Sequence, residues 1–286
     1  MRVGYIPITH CLPLYVAMDR GAFTRRGLEP ELVPLQGGPK VLEALAAGDL
    51  FVGFSNVASI VIGRSKGVPF VPISGGSLET PEHADHAILV APQSPIRAAG
   101  DLRGHRIAIN SRRNIDHLMV LLYLRQAGLA ESDVTLIEVP FPRMEAALVA
   151  GAVDAIASVE PYVTGPTSRK VARIVDWNYV AVRPRTFVAT FNVMERTLNE
   201  DPEGVAAFRE ALAEATAIIR ADPDGMRPLL AEYTSIPPDV AKIVGMPEFL
   251  PQLDVPNIEQ TEALLLEVGL LDRPVGIGKL LGPPHH

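Results

Sequence analysis

Apolar positions along the chain follow two spacings, one typical of buried strands and one typical of amphipathic helices. Leu42 and Leu45 share a helical face after Pro39, and Gly48 is expected to end that helix. The run 51–54 that follows is apolar and has the length of a strand. Strands that alternate with helices in this way predict an α/β fold with a mostly parallel sheet.

The pattern of residues 34–63 returns further along the chain at a constant offset. The aligned pairs are Pro39 and Pro142, Leu45 and Leu148, Gly48 and Gly151, and Ser55 and Ser158. This offset is too long for a solenoid, whose repeats recur at about 20 to 50 residues. We therefore expect two similar α/β lobes that face one another.

The remaining apolar runs place further strands and helices. Strands are expected at 68–73, 106–110, 171–176 and 187–192, with Gly75-Gly76 ending the first of them and a helix at 115–126 after the second. From residue 195 onwards the pattern is helical, and this tail is expected to pack on the first lobe. Its predicted helix starts are Asp201-Pro202, Asp222-Pro223 and a capping box of Asn257 with Gln260.

These elements divide the chain into two lobes joined by two crossovers. We expect lobe 1 to contain residues 1–78 and 187–286, and lobe 2 to contain residues 86–184. The expected hinge segments are 77–86 and 183–188. The first of these is polar and is predicted to be a solvated connector.

Composition limits the classes of function. Of the 286 residues, 48% are hydrophobic and 21% are charged, which predicts a well-packed globular protein. The net charge of −7 argues against nucleic acid or anionic lipid as a partner. No apolar run approaches the roughly 18 residues that a membrane span needs. We expect a monomer without a membrane span.

The compartment depends on the native start of the chain. The residues after Met1 enter a strand pattern directly, without the basic and apolar regions of a signal peptide. If a leader has been removed, a periplasmic or lipid-anchored extracytoplasmic protein is expected. If Met1 is the native start, a cytoplasmic protein is expected.

Polar residues at the carboxyl ends of predicted strands are the candidate ligand contacts of lobe 1. Ligands of open α/β sheets bind at this edge, where helix N-termini also point. His10, Ser55 and Asn56 lie at such positions, and Gly38 and Gly75 are expected to offer backbone groups. His10 would donate a hydrogen bond or act as a base, unless it only binds backbone in its loop.

The candidate contacts of lobe 2 are Ser111, Arg112 and Glu160. A hydroxyl and a guanidinium at a helix start favour an anion site at Ser111 and Arg112, the alternative being helix capping with solvated arginines. Glu160 ends a predicted strand and would suit a ligand with N–H or cationic character. Its alternative role is to cap the next helix.

Two further patterns would indicate an enzyme nucleophile or a metal site, and we compare each with a purely structural role. His10 and Cys11 are adjacent, and a thiolate beside a histidine can be a nucleophile in an enzyme. Neighbours in an extended loop point in different directions, however, and a lone cysteine is more often inert packing. His83 and His86 have a metal-like spacing, but nothing fixes them on one face, so we expect no metal site and no cofactor.

The segment 3–56 is similar to the amino-terminal half of the substrate-binding proteins of ABC importers in the nitrate, sulfonate, taurine and thiamine-precursor group. The shared elements are the PLYVA opening, the QGGP turn, the helix end before Gly48 and the later EPY at Glu160. The likeness extends more loosely over almost the whole chain. Phe51 departs from it, because relatives often carry an acidic residue there, whereas Asp154 keeps that residue in the second lobe.

This resemblance implies a type II periplasmic-binding-protein fold, with two βα lobes joined by a two-segment hinge. Such proteins close on a small ligand and deliver it to an ABC permease, and the closed form is favoured when the ligand contacts both lobes. Ser111 and Arg112 favour a compact organic anion such as a sulfonate or carboxylate. Glu160 favours a nitrogen heterocycle such as a pyrimidine as the second expectation.

The resemblance also admits enzymes on the same fold, including thiamine-precursor, menaquinone-pathway and desulfinase-like proteins. The pyrimidine synthases of thiamine synthesis use a lysine and a histidine where this chain has Ser55 and Ser59, and their cysteine cluster is absent here. The menaquinone-pathway enzymes fit the QGGP turn less well than transport proteins do. A regulator's sensing domain is the third class, and it normally follows a helix-turn-helix.

Overall fold

The computed structural model describes residues 1–281, which form two lobes, each built around one β-sheet. The chain begins in lobe 1 with β1 Arg2–Tyr5, α1 Leu12–Asp19, β2 Glu31–Pro34, α2 Gly38–Ala47, β3 Val52–Asn56, α3 Val57–Ser65 and β4 Phe70–Glu79. It crosses to lobe 2 with β5 His86–Val90, β6 Arg106–Ile109, α4 Ile115–Gln126, β7 Thr135–Glu138, α5 Phe141–Val149, β8 Ala155–Val159, α6 Thr164–Ser168, β9 Arg173–Asp176 and α7 Asn178–Val182. It returns to lobe 1 with β10 Thr186–Met194, α8 Glu195–Glu200, α9 Pro202–Ala221, α10 Pro223–Met226, α11 Leu230–Tyr233, α12 Pro238–Ala241, β11 Glu248–Phe249, α13 Val255–Glu267 and α14 Ile277–Leu281.

The two sheets repeat the same strand order. Lobe 1 has the order β2-β1-β3-β10-β4-β11, and lobe 2 has the equivalent order β7-β6-β8-β5-β9. The short strand β11 is an addition at the edge of lobe 1. In both lobes a central strand runs parallel to its two neighbours, and the next strand along is antiparallel. The predicted α/β fold with two similar lobes is confirmed. The prediction of a mostly parallel sheet is wrong, because antiparallel pairs are at least as numerous as parallel pairs in each sheet. The chain passes between the sheets at residues 80–85 and 183–185.

The paired glycines of β4 lie inside the strand, so the prediction that they end it is wrong. A Cβ at Gly75 would lie 2.2 Å from the carbonyl oxygens of Leu250 and Gln252. The Gly75 amide also donates to the carbonyl of Pro251 at 3.0 Å. Gly75 therefore lets the segment before α13 approach the β4 backbone.

We expect Gly75→Ala to destabilise lobe 1, because backbone carbonyls cannot move aside as a flexible side chain can. The loss in free energy of unfolding should reach about 3 kcal/mol, as for overpacking in a rigid core. Urea denaturation measures it. Gly100→Ala is the control, since nothing lies within 4 Å of a Cβ there. Equal midpoints for the two variants would contradict this packing role.

The two ends of the polar run 77–86 are buried, which corrects the prediction of a solvated connector there, whereas residues 81–83 are exposed as predicted. Ser77, Glu79, Asp85 and His86 are all at most 4% exposed. Their side chains bond to one another and to backbone amides, which compensates for the loss of water. The composition of the run is that of a loop, but its partners come from both lobes.

The helical tail packs on lobe 1, with α9 against α1 and α13 against α3. Asp201 and Asp222 cap α9 and α10, as predicted, each accepting from a glycine amide. The predicted capping box at Asn257 is wrong, because Asp254 is the N-cap of α13. Asn257 instead accepts from the Phe187 amide at 2.9 Å and ties α13 to β10.

Among residues 1–281, no helix has both the length and the apolar character needed to cross a membrane. The pair His285-His286 lies outside the described residues.

Candidate functional site

A cleft between the lobes contains a cavity of about 250 Å³. Its walls come from the carboxyl ends of β1 and β2 on one side and of β6 and β7 on the other, which is where ligands of α/β sheets bind. None of the lining residues is charged. They are Ile6, Pro7, Ile8, Pro34, Leu35, Gln36 and Gly37 of lobe 1, and Asn110, Pro140, Phe141, Pro142 and Tyr162 of lobe 2.

A second, smaller cavity of about 30 Å³ continues the cleft toward the hinge. It shares Ile6, Ile8, Asn110 and Phe141 with the larger one. The further lining residues are His10, Phe54, Asn56, His86, Asn114, Ile115, Asp116, Val159, Tyr179, Val188 and Ala189. The deep end of the cleft is therefore more polar than its mouth.

Side chains bridge the two lobes directly around the cleft. Asn56 Oδ1 accepts from the Ser59 amide at 2.9 Å in lobe 1 and from the Ile115 amide at 3.1 Å in lobe 2. The Tyr162 hydroxyl of lobe 2 donates to the carbonyl of Pro7 at 3.1 Å. These contacts show the lobes closed on one another.

Three of the predicted lobe 1 contacts, Gly38, Ser55 and Asn56, lie together where Asn56 bonds to lobe 2. A Cβ at Gly38 would lie 2.5 Å from Ser55 Oγ and from Asn56 Nδ2, so glycine lets the start of α2 pack on the end of β3. Ser55 Oγ is buried and accepts or donates no hydrogen bond within the described residues. Asn56 lines the smaller cavity, whereas Gly75 packs on residues 250–252 instead.

The predicted anion site at Ser111 and Arg112 is not assembled in this conformation. The Arg112 guanidinium donates to Glu131 at 2.8 Å and to the Leu136 carbonyl at 3.1 Å, away from the cleft. Asn114 caps α4 by accepting from the His117 amide, and Asn56 takes the first amide of that helix. The arrangement matches the capping alternative, and ligand contact by Ser111 or Arg112 stays a prediction.

Glu160 lies outside both cavities and caps the turn that follows β8. Its carboxylate accepts from the Thr164 amide at 2.9 Å and from the Thr164 hydroxyl at 2.5 Å. Burial raises the pKa of Glu160 to about 7, against the lowering effect of these hydrogen bonds. The structure contains the capping alternative, and contact of Glu160 with a ligand stays a prediction.

His10 belongs to a buried group of side chains at the first crossover, which we call the hinge cluster: His10, Ser77, Glu79, Asp85 and His86. His10 Nε2 lies 2.6 Å from Asp85 Oδ2, and its Nδ1 lies 2.9 Å from Ser77 Oγ. His86 Nδ1 lies 2.7 Å from Glu79 Oε2 and 2.7 Å from Asp85 Oδ1. Both ring nitrogens of His10 are thus bonded to protein.

The two histidines of the hinge cluster have pKa values shifted in opposite directions. Burial lowers the pKa of His10, which favours its neutral form. Burial would also lower the pKa of His86, but the Asp85 and Glu79 carboxylates outweigh it and raise that pKa to about 10. Burial raises the pKa of Glu79 to about 7. Burial also acts to raise the pKa of Asp85, but the two histidines outweigh it and hold that pKa below its usual range. His86 is therefore an imidazolium beside the Asp85 carboxylate at neutral pH.

Cys11 does not have the properties of a nucleophile. Its side chain is fully buried, and this burial raises the pKa of the thiol far above its ordinary value. Burial therefore disfavours the thiolate that the enzyme alternative requires, and Cys11 packs in the core of lobe 1.

Sequence reasoning missed most of the lining of the larger cavity, notably Gln36, Phe141 and Tyr162. The repeat contained a signal for them. The turn before α2 and the turn before α5 are equivalent in the repeat, and they form opposite walls of the cleft. Once one turn was expected in the cleft, its counterpart could have been expected there too.

Comparisons with known proteins agree on the family and the fold. The family model described as "NMT1/THI5 like" matches residues 8–226. A relative from Escherichia coli (strain K12), named "Putative aliphatic sulfonates-binding protein", is 25% identical over 85% of this chain and 82% of its own. The alkanesulfonate-binding protein SsuA from Xanthomonas axonopodis pv. citri, solved bound to MOPS, superposes with a TM-score of 0.82 at 23% identity, covering 97% of this chain and 96% of that one.

The desulfurization enzyme DSZB shares the fold less closely, with a TM-score of 0.71 at 20% identity over 99% of this chain and 96% of its own. The family match and the relatives named as binding proteins support a substrate-binding role for this chain. Its architecture is the two-lobe type II periplasmic-binding fold. The match over residues 8–226 shows that the chain belongs to the NMT1/THI5-like family.

Proposed function

We propose that this protein is the substrate-binding protein of an ABC importer and closes its lobes on a small, uncharged, mostly apolar ligand such as a nitrogen heterocycle. The cavity between the lobes carries this proposal, because both lobes line it and none of its lining residues is charged. An ionised ligand without a counter-charge would lose its hydration with little in return. The volume of about 250 Å³ suits a compact molecule.

The walls of the cavity favour a flat ring with one polar edge. The rings of Phe141 and Tyr162 are nearly parallel, at an angle of 11°, with centroids 6.4 Å apart. Asn110 Oδ1 accepts from Asn114 Nδ2 at 2.7 Å, so its own Nδ2 remains to donate to a ligand. A ring nitrogen or carbonyl is the matching acceptor, and Gln36 offers a second amide from lobe 1.

An organic anion is the alternative, favoured by the names of the relatives that bind sulfonates. Helix N-termini at the cleft would attract such a ligand. Pro39 and Pro142, however, each remove one amide from the first turns of α2 and α5, and the described lining has no basic side chain. The neutral heterocycle therefore fits the cavity better.

In this role the closed form signals to an ABC permease that the ligand is bound. Closure requires a ligand that contacts both lobes, and Gln36 with Asn110 would supply one contact from each. We propose that the protein acts outside the cytoplasm, because a protein of the same fold, SsuA from Escherichia coli, is described as periplasmic. We also propose that it acts as a monomer.

A thermal-shift screen of pyrimidines, flavins, sulfonates, carboxylates and nitrate tests the proposal. A ligand at about 100 times its Kd should raise the free energy of unfolding by about 2.7 kcal/mol. We expect a neutral heterocycle to do so, and Asn110→Ala to abolish the shift. Ser111→Ala is the matched control, because Ser111 is adjacent but does not line the cavity.

Two other results of the screen would contradict the proposal. If a sulfonate stabilises the protein and Ser111→Ala or Arg112→Ala removes the effect, the ligand is an anion held by lobe 2. If the stabilising compound is chemically consumed, the protein is an enzyme and the transport role is wrong.

A further inference from the structure

The hinge cluster brings three metal-ligating side chains together in the protein interior, with a fourth beside them. His10, Asp85 and His86 each offer a ligand atom, and these atoms lie within 4.8 Å of one another. Glu79 Oε2 lies 2.7 Å from His86 Nδ1 but outside this group, so it becomes a fourth ligand only when its side chain rotates. All four side chains are at most 5% exposed. We propose that the hinge cluster is a binding site for a divalent transition-metal ion, with Zn²⁺ as the best match.

Charge balance permits a divalent cation to replace the proton of the His86 imidazolium in the hinge cluster. The carboxyl groups of Glu79 and Asp85 are buried together, and in the metal-free protein the His86 imidazolium is the cation that pairs with them. Buried charges are stable only when they are compensated. Two carboxylates, two neutral imidazoles and one Zn²⁺ ion sum to zero charge.

The surroundings of the ligand atoms resemble those of protein metal sites, in which a second hydrogen bond orients each ligand. His10 Nδ1 is bonded to Ser77 Oγ, which leaves Nε2 for the metal. Glu79 Oε1 accepts from the amides of Asp85 and His86, which leaves Oε2. Asp85 Oδ1 is fully buried and takes no hydrogen bond within the described residues, although His86 Nδ1 is near.

The rearrangement needed to admit the ion is small. The closest ligand pairs are 2.6–2.7 Å apart, as hydrogen-bonded atoms are. Around tetrahedral Zn²⁺ with bonds of about 2.0–2.2 Å, ligand atoms lie roughly 3.4 Å apart. Each pair must therefore separate by less than about 1 Å, which side-chain rotations allow. Two imidazoles and two carboxylates favour Zn²⁺ over Mg²⁺ or Ca²⁺, which prefer oxygen ligands.

A metal ion at this position would connect the two lobes through the first crossover. His10 follows β1 in lobe 1, Glu79 ends β4, and Asp85 with His86 lead into β5 of lobe 2. The ion would fix the geometry from which the lobes rotate. This site is separate from the proposed ligand cavity, so either proposal can fail without the other.

Cobalt substitution tests the site. Protein comprising residues 1–286, with His285→Ala and His286→Ala, is treated with chelator and titrated with Co²⁺, and the visible absorption of tetrahedral Co²⁺ is followed. We expect one ion per chain, displaced by Zn²⁺. His86→Ala and His10→Gln should lose the absorption, and Ser77→Ala should weaken Zn²⁺ binding by about 10- to 100-fold.

His83→Ala is the matched control, because His83 is exposed and bonds to the Met246 carbonyl instead. It should bind Co²⁺ as the parent does. His10→Gln keeps an amide for Asp85 and Ser77, so this variant tests the site even if His86→Ala does not fold. No saturable absorption in the parent, or full binding by a folded His10→Gln protein, would overturn the proposal.

Discussion

The variant His86→Ala is expected to lose about 3–5 kcal/mol of the free energy of unfolding at pH 7, in metal-free protein. This is the range observed when one partner of a buried ion pair is removed and the other is left uncompensated. The imidazolium lies 2.7 Å from Oδ1 of Asp85 and from Oε2 of Glu79. It also stacks on Tyr179, with ring centroids 3.8 Å apart, so packing is lost as well.

Urea denaturation of the variant measures this loss, and His83→Ala is its control. His83 is the same residue type three positions earlier, at an exposed site, and its replacement should change stability by less than about 0.5 kcal/mol. The two variants together test whether the first crossover is a buried ionic hinge or a solvated loop. Equal stability for both would support the solvated loop.

The second large effect is expected from Asp116→Asn, which should stabilise the protein increasingly as the pH rises. Burial raises the pKa of Asp116 to about 7, although the Asn110 amide and His86 favour its charged form. Since each pKa unit corresponds to about 1.4 kcal/mol, the shift from 3.8 costs up to about 4 kcal/mol once the carboxyl is ionised. Asparagine keeps the acceptor for the Asn110 amide without the charge.

The sign of the effect follows from the protonation states. Below pH 3.8 Asp116 is neutral in both folded and unfolded chains, so it makes no difference to stability. Between about pH 4 and pH 7 the folded protein holds the proton more tightly, so wild-type stability falls with rising pH. We therefore expect Asp116→Asn to match wild type at pH 4 and to exceed it most at pH 8.

Denaturation curves at several pH values test this, with Asp239→Asn at an exposed position as the control. A stability difference that stays constant from pH 4 to pH 8 would show that Asp116 does not titrate in this range.

The fold was predictable because its signals are local and repeated. Pro39 and Pro142 begin α2 and α5, and Gly48 and Gly151 follow their ends with positive φ angles of 87° and 66°. The helix at 115–126 also has the predicted bounds. Such signals depend on residues only a few positions apart. The repeat of these signals at a constant offset then predicted two lobes of the same kind.

The hinge cluster was not predictable, because its partners are far apart in sequence. His10 and Asp85 are 75 residues apart, and the run 77–86 has the composition of a surface loop. Only tertiary contacts bury its two ends, which carry the side chains of the hinge cluster. The same applies to Arg112, whose position after a strand suggested the cleft but whose guanidinium reaches the Leu136 carbonyl, 24 residues away. Side-chain direction in a loop is not encoded by spacing alone.

The central claim is that a small ligand closes the two lobes, and the distance between them tests it most directly. Ala47 and Ala150 lie at equivalent, exposed ends of α2 and α5. Cys11 is buried, so spin labels would attach to cysteines introduced at these two sites. With a ligand from the screen, the mean distance between the labels, measured by electron paramagnetic resonance, should become shorter and the distribution of distances narrower. Asn110→Ala should abolish both changes. Unchanged distances with a bound ligand would contradict the account.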